Sequence, residues 1–225
     1  MSKANGKFSR DEIVRALLDA FPRLSVTEQQ VSLTLYRLLA EGHPVPMKNL
    51  SASTGMPLRS LEEIVGRWPG VYRNRDGAVI GYWGLALSPT QHRFRINGRL
   101  LYTWCAWDTL FIPTLLEARA EVESRCAASG TPIGLTIGNH GVETVQPASV
   151  AVSFLMPLES EIQKDVISSF CRYVHFFASR EEGANWVSRQ PGTFLLSLDE
   201  AWQIGVRKNA AQYSAVLHLE NLVDS

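Results

Sequence analysis

Residues 101–112 (LYTWCAWDTLFI) constrain this chain more than any other stretch, because they place a thiol and a carboxylate inside an apolar run. Trp104, Ala106, Trp107, Leu110, Phe111 and Ile112 make the run apolar on nearly every side, which predicts a helix packed into a core. On such a helix Cys105 and Asp108, three residues apart, share a face. A carboxylate there is costly unless it is hydrogen-bonded, paired or protonated. A cysteine beside a proton-transferring group, away from bulk water, is a plausible start for an active site. Cys171 is the candidate third group.

Composition excludes several classes. The 225 residues are 45% hydrophobic and 20% charged, which suits one sizeable core or a core with a small appended domain. The 22 basic and 22 acidic side chains balance, which argues against a broad polyanion-binding surface. No apolar run is long enough to span a bilayer, and the polar Met1 to Arg10 stretch lacks a signal-peptide hydrophobic region. Three cysteines, an odd number, do not make a disulfide framework and fit a reducing compartment, so a cytoplasmic protein is expected.

Residues 1–8 read as a loose tail. Ser9 with Glu12, and Thr27 with Gln30, read as capping boxes that open two helices. A short helix near 47–54, a Gly55–Met56–Pro57 turn and a helix from Leu58 to Arg67 follow. Val71–Tyr72 and residues 79–83 flank the turn-forming Asp76–Gly77 as a hairpin. This is the order of a winged helix-turn-helix, whose second helix would enter a DNA groove. The alternative is a compact cover with no nucleic-acid role, and Glu62 and Glu63 on that helix, which would repel phosphates, favour it.

From about residue 91 the pattern changes. Phe94 and Ile96 alternate with Arg93 and Arg95, and Asn97–Gly98 is a strong hairpin signal. After the Cys105/Asp108 helix, strands are expected near 119–124, 132–138, 142–146 and 149–155. A polar helix over 159–169 leads to Phe170–Cys171 and an apolar strand over 173–177. A helix near 180–189 and a last one opened by Ser197 and Glu200 close the chain. The grouping predicts an α+β fold. Residues 1–88 would form a winged-helix-like N-terminal domain. Residues 89–225 would form a catalytic core with a mixed or antiparallel sheet and flanking helices.

Cys126, in the small-residue bend 124–130, reads as structural. His175 reads as a satisfied core histidine, since on a strand it would lie about 13 Å from Cys171. No Cys-x-x-Cys, His-Glu-x-x-His or glycine-rich phosphate loop is present. A Cys-His-Asp hydrolase is possible on inventory alone, and nothing in the spacing favours it. Two thiolates and a carboxylate suit one chemistry well. Thiolates select soft metals. If two of them grip a soft metal bonded to carbon, they push electron density onto that carbon, and a nearby carboxylic acid can protonate it. An apolar setting lowers the cost of holding that acid neutral.

Three segments, 99–110 (RLLYTWCAWDTL), 126–130 (CAASG) and 169–177 (SFCRYVHFF), closely resemble the alkylmercury lyase family, the organomercurial lyases of bacterial mercury resistance. The resemblance is dense from about residue 90 to 200 and looser before it. It implies protonolysis of a carbon–mercury bond to a hydrocarbon and Hg(II), with Cys105 and Cys171 as mercury-binding thiols and Asp108 as proton shuttle and possible mercury contact. It also implies a structural Cys126, no organic cofactor, turnover supported by external thiols, and transfer of Hg(II) to mercuric reductase or cytosolic thiols. By the same resemblance the N-terminal part packs against the core and does not read DNA. Two departures stand out. Arg172 occupies a position where some members carry a further cysteine, and Trp107 is bulkier than the expected aliphatic residue, which bears on substrate range. Two other classes stay open: a thiol-based metal- or redox-responsive winged-helix regulator, and a zinc-binding interaction domain.

Overall fold

In the computed structural model, which describes residues 3–4, 8–219 and 222, the chain is a mixed α/β fold built on an antiparallel sheet. It opens with β1 (Lys3–Ala4), β2 (Phe8–Ser9), α1 (Arg10–Ala20), α2 (Val26–Ala40), α3 (Met47–Thr54) and α4 (Leu58–Gly66). Strands β3 (Val71–Arg73), β4 (Val79–Tyr82), β5 (Leu85–Ala86), β6 (His92–Ile96) and β7 (Arg99–Thr103) lead into α5 (Asp108–Leu116). Then come β8 (Ala120–Arg125), β9 (Pro132–Gly138), β10 (Gly141–Gln146), β11 (Ala151–Leu155), α6 (Glu159–Ile162) and α7 (Val166–Ser169). A 3-10 turn at Cys171–Tyr173, β12 (Phe176–Phe177), α8 (Arg180–Val187), β13 (Thr193–Ser197) and α9 (Leu198–Gln212) complete it.

The main sheet has eight strands in the order β10-β9-β8-β6-β7-β5-β4-β3, and a second sheet runs β12-β11-β13. Strand β5 bonds to β7 through Leu85↔Thr103 and Ala86↔Tyr102, so the ladder continues across residue 88, where the sequence suggested a division. The helix, short helix, turn, helix and hairpin order expected before that point is present as α2, α3, α4 and β3–β4. No helix among the described residues is long and apolar enough to cross a membrane.

Several local expectations change. Residues 101–107 are not helix. The Asn97–Gly98 turn, with φ of 48° and 74°, starts a hairpin whose ladder from Ile96↔Arg99 to His92↔Thr103 claims the chain as far as Thr103. Residues 104–107 then form a turn, and α5 begins at Asp108. The second capping box uses Ser25 and Glu28 rather than Thr27 and Gln30. The polar helix over 159–169 is split, because Asp165 stops it and caps α7, its carboxylate accepting the Ile167 N–H at 3.0 Å. The strand over 173–177 shrinks to Phe176–Phe177, the rest being 3-10 turn and loop. The tail over residues 1–8 lies mostly outside the described residues, and within it β1 pairs with β2.

Helix α9 fastens the core to α5. Gly205 lets Phe111 close in, and the Asn209 amide donates to the Phe111 carbonyl at 3.0 Å and to Thr114 Oγ1 at 2.8 Å. A Cβ at Gly205 would lie 2.6 Å from the Cβ of Phe111. Gly205→Ala is therefore expected to destabilise the protein by about 1–3 kcal/mol despite alanine's better helix propensity. Gly66→Ala, where an added Cβ meets nothing within 4 Å, is expected to be neutral or slightly stabilising. Urea unfolding of the two variants checks this.

Candidate active site

The hairpin β6–β7 delivers the chain to a buried turn, and the turn delivers Asp108 as the first residue of α5. Its carboxylate reaches back to accept the Cys105 N–H at 2.8 Å. The turn is tied at both ends, since the Trp104 N–H donates to the Gly84 carbonyl at 2.9 Å and Thr109 Oγ1 donates to the Ala106 carbonyl at 2.7 Å. The Cys105–Asp108 spacing thus works through a carboxylate-closed turn, not through one face of a helix.

Cys171 opens the 3-10 turn after α7. Three contacts fix that turn. Ser153 Oγ donates to the Tyr173 carbonyl at 2.7 Å, the His175 N–H donates to Ser153 Oγ at 2.9 Å, and His175 Nε2–H donates to the Arg172 carbonyl at 2.7 Å. His175 is accordingly a satisfied, half-buried histidine. The Ala106 N–H donates to the Val174 carbonyl at 3.2 Å, which joins the two cysteine segments directly.

The outcome is a cluster in which Cys105 Sγ, Cys171 Sγ and an Asp108 oxygen all lie within 4.8 Å of one another. The three residues are 0%, 4% and 5% exposed respectively, so the site is closed to bulk water. Cys126 is not part of the cluster, and its thiol donates instead to the Glu182 carboxylate at 3.2 Å. Trp107 is turned to the core, with its indole N–H donated to the Ala201 carbonyl at 2.9 Å and its ring against Phe111, Phe154 and Phe170.

Burial sets the protonation states. It raises the Asp108 carboxyl to about 6, against the opposing pull of its Cys105 contacts and of the Lys208 charge. Burial, the Cys171 contact and the Asp108 charge push the Cys105 thiol up. The Cys105 contact favours the Cys171 thiolate, but burial and the charges of Asp108 and Asp165 outweigh it, and that thiol also moves up. The resting site therefore holds two neutral thiols and, at neutral pH, one carboxylate able to take a proton from either.

Two neighbours were not legible in the sequence as site residues. Gly84, with φ of 99°, lies so close to Asp108 that an added Cβ would sit 2.5 Å from its carboxyl carbon. Lys208 on α9 is 3% exposed, and burial pulls its ammonium down to about 7 while the Asp108 charge pulls it up.

Comparisons with known proteins converge on one family. The sequence model of the alkylmercury lyase (MerB) family matches residues 85–208. An alkylmercury lyase of Staphylococcus epidermidis is 37% identical over 80% of this chain and 81% of its own length. One of Pseudomonas putida is 40% identical over 77% and 80%. A solved structure described as the mercury-bound form of MerB2 superposes with a TM-score of 0.71 at 25% identity, covering 88% of this chain and 96% of that one.

The raised carboxyl has a thermodynamic consequence. A folded-state value near 6, above the ordinary 3.8, means that the fold favours the neutral acid. That contribution is full below pH about 4 and is lost as pH rises through about 6. Asp108→Asn, always neutral, is expected to melt higher than wild type at pH 8, by on the order of 5 °C, with the gap closing towards pH 4. Calorimetric Tm values of both proteins across that range check the sign.

Proposed function

The chain belongs to the alkylmercury lyase family and is an organomercurial lyase, and we propose that Cys105, Cys171 and Asp108 carry its reaction. The observation that supports these roles is the buried triad within 4.8 Å, a spacing at which one metal atom can meet both sulfurs and the carboxylate. In the proposed sequence one thiol displaces the exchangeable ligand of an organomercurial, R–Hg–X, and its proton leaves with that ligand as HX. Asp108 takes the proton of the second thiol, which then binds mercury. Two thiolates on the metal push electron density onto the bound carbon, and the Asp108 carboxylic acid protonates it. The carbon–mercury bond breaks, R–H departs, and Hg(II) stays on the two sulfurs with Asp108 ionised again. Protons and charges balance without a redox step.

Written this way the reaction needs no resident cofactor, and Hg(II) is product rather than prosthetic group. Small thiols, or mercuric reductase, would remove Hg(II) and restore both cysteines. Three free cysteines support a reducing, cytoplasmic setting.

Residues 1–88 act in this reading as a winged-helix-like cover over the core of 89–225. The Trp83–Gly84 turn supports it by pressing on Asp108. So does Tyr72, whose ring lies edge-on to Trp104 at 5.1 Å and whose hydroxyl donates to Asp165 at 3.4 Å. The regulator alternative is disfavoured by α4 and its surroundings. Arg59 pairs with Glu63, Arg67 with Glu28 and Arg73 with Glu62, which neutralises the face that would meet phosphates.

The test is anaerobic incubation with phenylmercury and excess small thiol, following benzene by gas chromatography. Wild type is expected to release benzene over many turnovers. Cys105→Ala and Cys171→Ala are each expected to lose release while retaining the far-UV spectrum of the fold. Asp108→Asn is expected to bind mercury but release benzene at least about a hundredfold more slowly. Full turnover in either cysteine variant would defeat the two-thiol mechanism.

A further inference from the structure

Lys208 is a buried amine without a buried anion at its side. It lies on α9 with 3% exposure, and among the described residues no carboxylate comes within ion-pair distance of its ammonium. What surrounds the ammonium is aromatic. Nζ is 4.8 Å from the ring centre of Phe111, 5.2 Å from Phe21 and 6.0 Å from Tyr213. Aromatic faces attract a cation but replace its hydration incompletely, and an apolar side chain would fill the same space without that cost.

The position of this box is informative. Phe111 is one helical turn beyond Asp108 on α5. The Phe21 ring lies 4.6 Å from that of Trp83, tilted by 38°, and the adjoining Gly84 is pressed against the Asp108 carboxyl. One wall of the box is thus a helical turn from the carboxylate and another is joined to it through Trp83 and Gly84, and the Lys208 and Asp108 charges act on each other. Charge counting in the reaction then gives the lysine a task. Before proton delivery the negative charge sits on the dithiolate-bound alkylmercury and Asp108 is neutral, and after it the metal centre is neutral and the charge has moved to Asp108, in a buried, low-dielectric space. An ammonium beside Asp108 favours that transfer, and the carboxylate in turn favours the ammonium.

Building on the lyase chemistry above, we propose that Lys208 is a positioning residue whose ammonium, held in the Phe21–Phe111–Tyr213 box behind Asp108, favours the carboxylate that proton delivery leaves over the carboxylic acid that precedes it. It touches neither thiol nor substrate in this role and acts through Asp108. The box adjoins the surface. Pro22, Leu24 and Gln212 line both the cavity of about 10 Å³ beside Lys208 and a surface cleft of about 340 Å³.

The experiment is single-turnover benzene release from saturating phenylmercury in Lys208→Met and Lys208→Ala, with n-propylammonium or n-propanol added to the latter. Lys208→Met is expected to release benzene about ten- to a hundredfold more slowly than wild type while melting at the same or a higher temperature. Lys208→Ala is expected to be slow, to recover with n-propylammonium, and not to recover with the neutral alcohol of the same shape. Wild-type release in Lys208→Met, or equal recovery with alcohol and amine, would overturn the charge-balance role while leaving the lyase reading intact. Absence of benzene from wild type itself would overturn both.

Discussion

A carboxylate at the start of a buried helix is the constraint on which the rest of this structure depends. Asp108 cannot be left without partners in an apolar interior. The fold supplies it with the Cys105 N–H at 2.8 Å, the N-terminal end of α5 and the distant charge of Lys208. These supports are incomplete by design of the surroundings: burial still dominates and holds the carboxyl near 6. A fully paired aspartate would stay ionised and be a poor proton donor, and an unsupported one would stay neutral and be a poor base. The partial support leaves a group that can be both in succession.

The second constraint is that the thiols come from parts of the chain 66 residues apart and must meet with little freedom. Hydrogen bonds to the main chain do that work. Ala106 is tied to Val174, and the Cys171 turn is tied through Ser153 to β11, the middle strand of the smaller sheet. The cysteine side chains are thereby placed by backbone that serves the fold as well, and neither thiol depends on a flexible loop of its own.

How much of this was legible follows from where the information resides. The Asn97–Gly98 turn, the helix opened by Ser197 and Glu200 and the strand over 132–138 are local signals, and the chain obeys them. The Cys105/Asp108 pair was singled out for a spacing that also fits a helix, yet the hairpin ladder took residues 99–103 and left the pair astride a turn. A long-range ladder outweighed a local periodicity. Cys171 joins the site only through tertiary contacts, so no local pattern could attach it: it entered as a candidate third group on inventory, and the resemblance implied its role. Lys208 hides within Arg207–Lys208–Asn209, which reads as a solvated face. The stripe Ala201, Ile204, Gly205 and Lys208, spaced as one buried helical face, was the signal that could have found it. Gly84 carried no signal at all, because its role is to lack a side chain where Asp108 comes close.

The continuity of the main sheet decides what the N-terminal segment can do. A hinged lid needs a boundary that few contacts cross. Here β5 is bonded to β7, and the Gly84 carbonyl at the end of that ladder accepts the N–H of Trp104, the residue before Cys105. Lifting the segment would break the ladder that positions the thiol and withdraw the wall that presses on the carboxylate. The same turn is held from the other side, since the Tyr36 hydroxyl on α2 donates to the Trp83 carbonyl at 2.8 Å. These contacts support reading the segment as a wall of the site. The sequence suggested a division at residue 88 and the ladder crosses it, the arginines on and beside α4 are paired, and in the proposed reading the segment's contribution to the chemistry is the close-fitting surface behind Asp108.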